Sequence, residues 1–159
     1  MVRPFTFLHA SNILIKSGHC IRDVCLGYYM YLKAKGSSGR IARLESPTFM
    51  SSPSGDGCNI TFAYHMYGAS MGTLNVSVVE SGSGAETVIW SRSGNQGNRW
   101  YRSTVAIPST LSGKFKFVFT GMVGVSVTSD MAIDTIDFGS DCCKRLPIFL
   151  ASRKFELQE

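Results

Sequence analysis

The sequence predicts an all-β domain of the sandwich or barrel kind, and three observations predict it. From Tyr28 onward, short runs alternate apolar with polar residues, the period-two pattern of half-buried strands. Clusters of Gly, Ser, Pro and Asn part these runs at the spacing of an all-β fold. No segment sustains a helical period over the length of an ordinary helix. With 159 residues the chain suits a single domain, and 44% hydrophobic against 17% charged residues excludes a disordered tail.

The elements follow in order. Residues 28–34 form the first strand candidate, closed by Gly36-Ser37-Ser38-Gly39. Residues 40–46 put Ala42 and Leu44 on one face and Arg43 on the other, and Pro47 ends them because proline cannot donate to a ladder. Residues 51–57 are a loop by composition. A hairpin is then predicted: Cys58, Ile60, Phe62, Tyr64 and Met66 share a face, Gly68 to Gly72 turns the chain, and Leu74, Val76 and Val78 share a face of the returning strand. Ser81-Gly82-Ser83-Gly84 closes it. Residues 86–91 carry Val88 and Trp90 on one side, Ser93 to Asn98 turns, and residues 100–107 run to Pro108. Phe115, Phe117 and Phe119 alternate with Lys116 and Val118, and residues 131–138 form the last strand.

The net charge is +5, but no basic run exceeds two residues, so a nucleic-acid partner is not expected. Five cysteines, Cys20, Cys25, Cys58, Cys142 and Cys143, leave one over after any intramolecular pairing. An oxidising compartment would favour bridges and a reducing one would leave five thiols. The first 15 residues lack an unbroken apolar region, so no signal peptide is read there. No apolar run has the length of a membrane span.

Several constellations invite chemistry. Gly68-Ala69-Ser70-Met71-Gly72 matches the nucleophile-elbow string, which would make Ser70 a hydrolase nucleophile. That turn needs a helix leaving it, yet Thr73 to Val78 alternates like a strand, so a loop is the better reading. His9, His19 and His65 show no metal-site spacing, and His65 reads as a surface or hydrogen-bonded side chain on the polar face of its strand. The sequons Asn59-Ile60-Thr61 and Asn75-Val76-Ser77 place both asparagines opposite the apolar face, as an N-linked glycan requires. They favour a secretory history. Asp134 falls on a face with Ala132 and Ile136, where a carboxylate must be paired, hydrogen-bonded or bound to a cation.

Taken together, Cys58-Asn59-Ile60-Thr61-Phe62-Ala63-Tyr64-His65-Met66-Tyr67-Gly68, Gly72-Thr73-Leu74-Asn75-Val76, Trp90 through Trp100, Phe117-Val118-Phe119-Thr120-Gly121, Ile133-Asp134-Thr135-Ile136 and Cys142 resemble the MAM domain. This extracellular module is named for meprin, the A5 antigen and receptor protein tyrosine phosphatase mu. Tyr28-Tyr29-Met30-Tyr31-Leu32 and Ala42 to Pro47 extend the likeness. It implies a jelly-roll-like antiparallel β-sandwich, and noncatalytic roles in adhesion or subunit assembly, outside the cell or in the ectodomain of a membrane protein. The implied partner is another protein, a second copy of the chain included.

The resemblance also implies that Cys58 pairs with Cys142, leaving Cys20, Cys25 and Cys143 for another or an intersubunit bridge. The family's opening cysteine, acidic-aromatic and tryptophan pattern is not matched, so residues 28–143 are expected to hold the MAM-like sandwich. Residues 1–27 and 144–159 stay unassigned, and a missing opening strand would expose a sheet edge. Of the family's calcium or sodium site the chain keeps Asp134, as a remnant ligand, with Thr135 in the second acidic place; no other cofactor is implied. The alternative is a carbohydrate-binding jelly roll, for which Tyr67, Trp100 and Tyr101 are the residues to inspect. The loops 51–57, 93–99 and 121–130 are the candidate contact segments.

Overall fold

A computed structural model of the chain describes residues 6–8, 13–17, 20–21, 24–25, 28–36, 38–51, 59–125, 127–139 and 143–145. They form fourteen strands and no helix. In chain order these are β1 (Thr6–Leu8), β2 (Ile13–Ser17), β3 (Cys20–Ile21), β4 (Val24–Cys25), β5 (Tyr28–Leu32), β6 (Ile41–Glu45) and β7 (Phe49–Ser51). They continue as β8 (Asn59–Met66), β9 (Thr73–Glu80), β10 (Glu86–Ser93), β11 (Tyr101–Ala106), β12 (Lys114–Met122), β13 (Met131–Phe138) and β14 (Cys143–Arg145).

Two antiparallel sheets make a sandwich, as expected. In the first, β12 pairs with β9 along one side and with β6 and then β7 along the other; β10 extends β9, β1 extends β6 and β14 extends β7. The second runs β11-β8-β13-β5-β2. A two-stranded ladder, β3 with β4, places Cys20 opposite Cys25. The edges of β6 and β5 are thus occupied by strands from the first 27 residues.

The core lies between the sheets and is built by alternation. On β8, Ile60, Phe62, Tyr64 and Met66 are buried; on β9, Leu74, Val76 and Val78; on β12, Phe115, Phe117 and Phe119. Aromatic edges meet faces across it: Phe62 stands T-shaped on Trp90 at 5.0 Å and on Phe119 at 5.2 Å, the geometry that ring quadrupoles favour. Burying such side chains contributes roughly 1.5–3 kcal/mol each.

Three local expectations are corrected. β8 and β9 are not a hairpin: β8 pairs with β11 and β13, and β9 with β10 and β12, so residues 67–72 arch from one sheet to the other. Alternation fixes which face a strand buries but not its partner, because both sheets need an apolar inner face. Val88 and Trp90 do not share a face, since a bulge shifts the register between them. Val88 is left 53% exposed, while Ile89 and Trp90 pack on the core. A short strand, β7, lies between Pro47 and the loop that follows. Before it, Ser46 Oγ accepts the Phe117 backbone N–H at 2.9 Å, satisfying a buried donor where the kinked chain leaves the ladder.

The outer face of the first sheet is closed by charge. Arg43 on β6 reaches over β12 and β9 to Glu86 on β10 at 2.8 Å, and Lys116 meets Glu45 at 3.3 Å. The Arg43 hydrogen bond holds the Glu86 carboxyl below its ordinary pKa against an opposing desolvation effect.

Candidate functional site

The outer face of the second sheet is different. Tyr29 and Tyr31 on β5, His65 on β8, Tyr67 just beyond it and Trp100 just before β11 come together as one chain of rings. Centroids are 6.3 Å apart for Tyr31 and Tyr29, 5.6 Å for Tyr29 and Trp100, 5.6 Å for Trp100 and His65, and 6.5 Å for His65 and Tyr67. Strand pitch explains the grouping. Ala132 on β13 is the register partner of both Tyr31 and His65, so a small residue sits between two rings and leaves the floor low.

The result is a recess of about 570 Å³ lined by these five rings, by Ala132 and by the 127–131 segment, including Val127, Thr128 and Asp130. That volume lies in the roughly 300–1,000 Å³ range of small-molecule sites. Asp130 accepts the Ala34 backbone N–H on Oδ1 at 2.7 Å. His65 Nε2 shares a hydrogen bond with Asn98 Oδ1 at 3.1 Å, which orients the imidazole. Between the sheets there is an apolar gap of about 40 Å³ bordered by Met30, Leu44, Phe119 and Met131.

The sequence-derived candidates are scattered over the sandwich. Tyr67 and Trp100 belong to the recess, but Tyr101 turns toward the core: its ring stacks on Tyr64 at 5.5 Å and its hydroxyl donates to the Gln96 carbonyl at 2.6 Å. Ser70 lies on the inter-sheet arch, its carbonyl accepting the Ser129 hydroxyl at 2.7 Å, and the strand β9 follows where a nucleophile elbow needs a helix. Asp134 Oδ1 accepts the Thr135 backbone N–H at 2.7 Å, at a register shift where Thr135 has a φ of 49°. The carboxylate thus steadies a backbone conformation uncommon for threonine. Among the described residues no three His, Cys, Asp or Glu gather as metal ligands.

Asn59 is exposed at the start of β8, and Asn75, half-buried on the outer face of β9, accepts the Ser91 hydroxyl at 2.7 Å. His9, His19, Cys58 and Cys142 fall outside the described residues, as does most of the loop 51–57. The loop 93–99 is tied down by its own hydrogen bonds: Gln96 N donates to the Met66 carbonyl at 2.9 Å and Gly94 N to the Gly72 carbonyl at 3.1 Å. In the 121–130 segment Val125 and Val127 are 80% and 64% exposed. Sequence reasoning missed Tyr29 and Tyr31, whereas Asp130 ends the 121–130 contact segment it named. The available signal was the Tyr-Tyr-Met-Tyr run of β5, whose second and fourth residues, Tyr29 and Tyr31, fall on one face by period two.

The fold and the recess define an all-β sandwich with a ring-lined hollow on one outer face. The chain belongs to the MAM domain family (meprin/A5/mu), whose model matches residues 12–144. It is 38% identical over 132 residues to MAM domain-containing glycosylphosphatidylinositol anchor protein 1 of Gallus gallus, covering 77% of this chain and 13% of that protein. The chain therefore spans a small part of that relative. Among solved structures, TmCBM61 in complex with β-1,4-galactotriose is similar at a TM-score of 0.60 and 10% identity, covering 86% of this chain and 88% of that one. The K1 cleaved adhesin domain of Lys-gingipain from Porphyromonas gingivalis W83 is similar at 0.56 and 14%, covering 86% and 94%. At those identities the likeness is one of fold. No helix among the described residues is long and apolar enough to cross a membrane.

Proposed function

We propose that this chain is a noncatalytic extracellular recognition module whose partner is a protein, with a second copy of itself as the first candidate. Membership of the MAM family and relatives named for glycosylphosphatidylinositol anchors support that address, in a secreted protein or an ectodomain. The observation that carries the reading is the exposure of large apolar side chains in the 121–130 segment, where Val125 is 80% and Val127 64% exposed. Segments projected from a rigid scaffold are where recognition residues concentrate, and exposed apolar clusters mark contact surfaces. Beads coated with the secreted protein are expected to cluster, and the Val125→Asp, Val127→Asp double variant to abolish clustering at unchanged melting temperature. Monodisperse beads with the wild-type protein would defeat the homophilic reading.

The same address bears on the cysteines and sequons. Directly opposed residues of an antiparallel ladder have Cα atoms roughly 4.5–5.5 Å apart, within the span of about 4.4–6.8 Å that a disulfide bridges. The register of Cys20 with Cys25 therefore supports a bond between them, beside the Cys58–Cys142 bond that the family likeness implies. Cys143 is then the odd cysteine, placed to bridge to another chain. Asn59 and Asn75 are the glycan acceptors. Non-reducing peptide mapping of the secreted protein is expected to return both intrachain pairs, whereas five free thiols would overturn the extracellular reading.

The second reading is a carbohydrate-binding jelly roll. The ring-lined recess favours it, and the module of similar fold solved with galactotriose is in keeping with it.

A further inference from the structure

We infer that the recess on the outer face of the second sheet is a binding site for a neutral oligosaccharide, with Trp100 and Tyr29 as its main aromatic contacts and Asp130 as its polar anchor. This deepens the second reading and rests on it.

The ring arrangement comes first. A pyranose has an apolar face of C–H bonds, and the electron-rich face of an aromatic ring attracts their partial positive charge. The rings from Tyr29 through Trp100 and His65 to Tyr67 are steeply inclined to one another, at 74°, 51° and 68°, so they turn faces and edges toward the recess from different directions and can bracket a sugar ring. The arrangement is preorganised. Tyr29, Tyr31 and His65 stand on paired strands, and His65 is further fixed by Asn98 at 3.1 Å, so little side-chain entropy remains to be lost on binding.

The polar groups come second. Tyrosine hydroxyls both donate and accept, as sugar hydroxyls do, and a carboxylate accepts on two oxygens. Asp130 uses Oδ1 for the Ala34 N–H at 2.7 Å, which holds the group in place. Its Oδ2 has no protein partner among the described residues and is left for a ligand hydroxyl.

Charge decides the class of sugar. The chain carries a net +5, yet among the described residues no Lys or Arg lines the recess, and its carboxyl group is that of Asp130. A sialylated or sulfated glycan would meet the like charge of the Asp130 carboxylate there, which disfavours it. An extended peptide would add to a sheet edge, whereas these rings lie over β8, β13 and β5, strands paired on both sides. The Asn59 sequon is on the same strand as His65 but six residues away, roughly 20 Å at the pitch of a strand, so a glycan there leaves the recess open.

The test uses the secreted full chain against immobilised neutral oligosaccharides of glucose, mannose, galactose and N-acetylhexosamine, with sialylated and sulfated glycans beside them. Titration calorimetry then follows for any that bind. At least one neutral oligosaccharide is expected to bind, with Trp100→Ala and Tyr29→Ala each weakening it tenfold or more. Ala132→Leu, which fills the floor while keeping every ring, should weaken it comparably and guards against a Trp100 variant that fails to fold. The Val125→Asp single variant, at a position outside the recess lining, should retain sugar binding. Binding of no glycan at all would overturn the carbohydrate reading and this inference together. Neutral-sugar binding that survives both Trp100→Ala and Ala132→Leu would leave that reading standing and overturn the site. Binding confined to acidic glycans would overturn the assignment of a neutral ligand.

Discussion

Replacing Gly124 by alanine is expected to destabilise the domain by more than about 3 kcal/mol, a large effect for a one-carbon change. A Cβ at Gly124 would collide with the Ser70 carbonyl oxygen and lie 2.8 Å from its carbon and 2.9 Å from Gly72 N. Every one of those atoms is backbone, so no side chain can swing aside. Gly72 has the reciprocal problem, because its Cβ would strike the Met122 carbonyl. The arch 67–72 and the segment after β12 therefore pack backbone against backbone, and Ser129 Oγ closes the contact by donating to the Ser70 carbonyl at 2.7 Å. For a domain of this size each kcal/mol moves the melting temperature by roughly 2–4 °C, so a fall of roughly 6–12 °C or a loss of secreted protein is expected. Gly82→Ala is the control. Nothing lies within 4 Å of its Cβ, and alanine there should be neutral or stabilise by up to about 1 kcal/mol. Equal melting temperatures for the two variants would show that the arch does not pack as described.

The same contact explains why a catalytic-looking string has no catalytic partners. In Gly68-Ala69-Ser70-Met71-Gly72 the glycines permit close approach to the 122–129 segment, and Ser70 contributes its carbonyl to that contact. A motif of three fixed residues can be read from sequence, but the need for glycine depends on a neighbour some fifty positions away in the chain.

That dependence sets what was legible. The alternation on β8 and of the phenylalanines on β12 was visible because each strand has one face against a common core, and period two records burial directly. The assignment of β8 and β9 to different sheets was hidden, since an inner face looks the same whichever sheet owns it. The bulge at Ile89 was hidden too: it costs one residue of phase, and Val88 and Trp90 are as apolar as an unbroken strand would want. For the site, Tyr67 and Trp100 stood out as aromatic residues near turns. Tyr29 and Tyr31 were concealed in a strand whose apolar content reads as core. That they share a surface with Trp100 follows from the order β11-β8-β13-β5, a long-range fact. The family resemblance supplied the sandwich ahead of that order, but not the recess.

Truncating Phe62 to alanine should cost about 3–5 kcal/mol, the range for deleting a buried aromatic side chain and leaving its cavity. Phe62 is 0% exposed and its ring is gripped by Trp90 at 5.0 Å, Phe119 at 5.2 Å and Tyr64 at 6.2 Å, so the space cannot close without moving both sheets. Phe62→Leu keeps most of the volume and should lose less than half as much. Tyr67→Ala, at a half-exposed position, should change stability by no more than about 0.5 kcal/mol. Urea unfolding of the three variants, followed through tryptophan fluorescence because Trp90 lies against Phe62, orders them directly; a Phe62→Ala loss no larger than that of Tyr67→Ala would contradict the packing. Strand β8 joins this core to the recess. Phe62, Tyr64 and Met66 face inward while His65 faces out between them, so the imidazole is positioned by the side chains that hold the sheets together. Loosening at Phe62 should therefore weaken any recess ligand under conditions where the variant is still folded, whereas Phe117→Leu, on the other sheet, should lower stability without that loss.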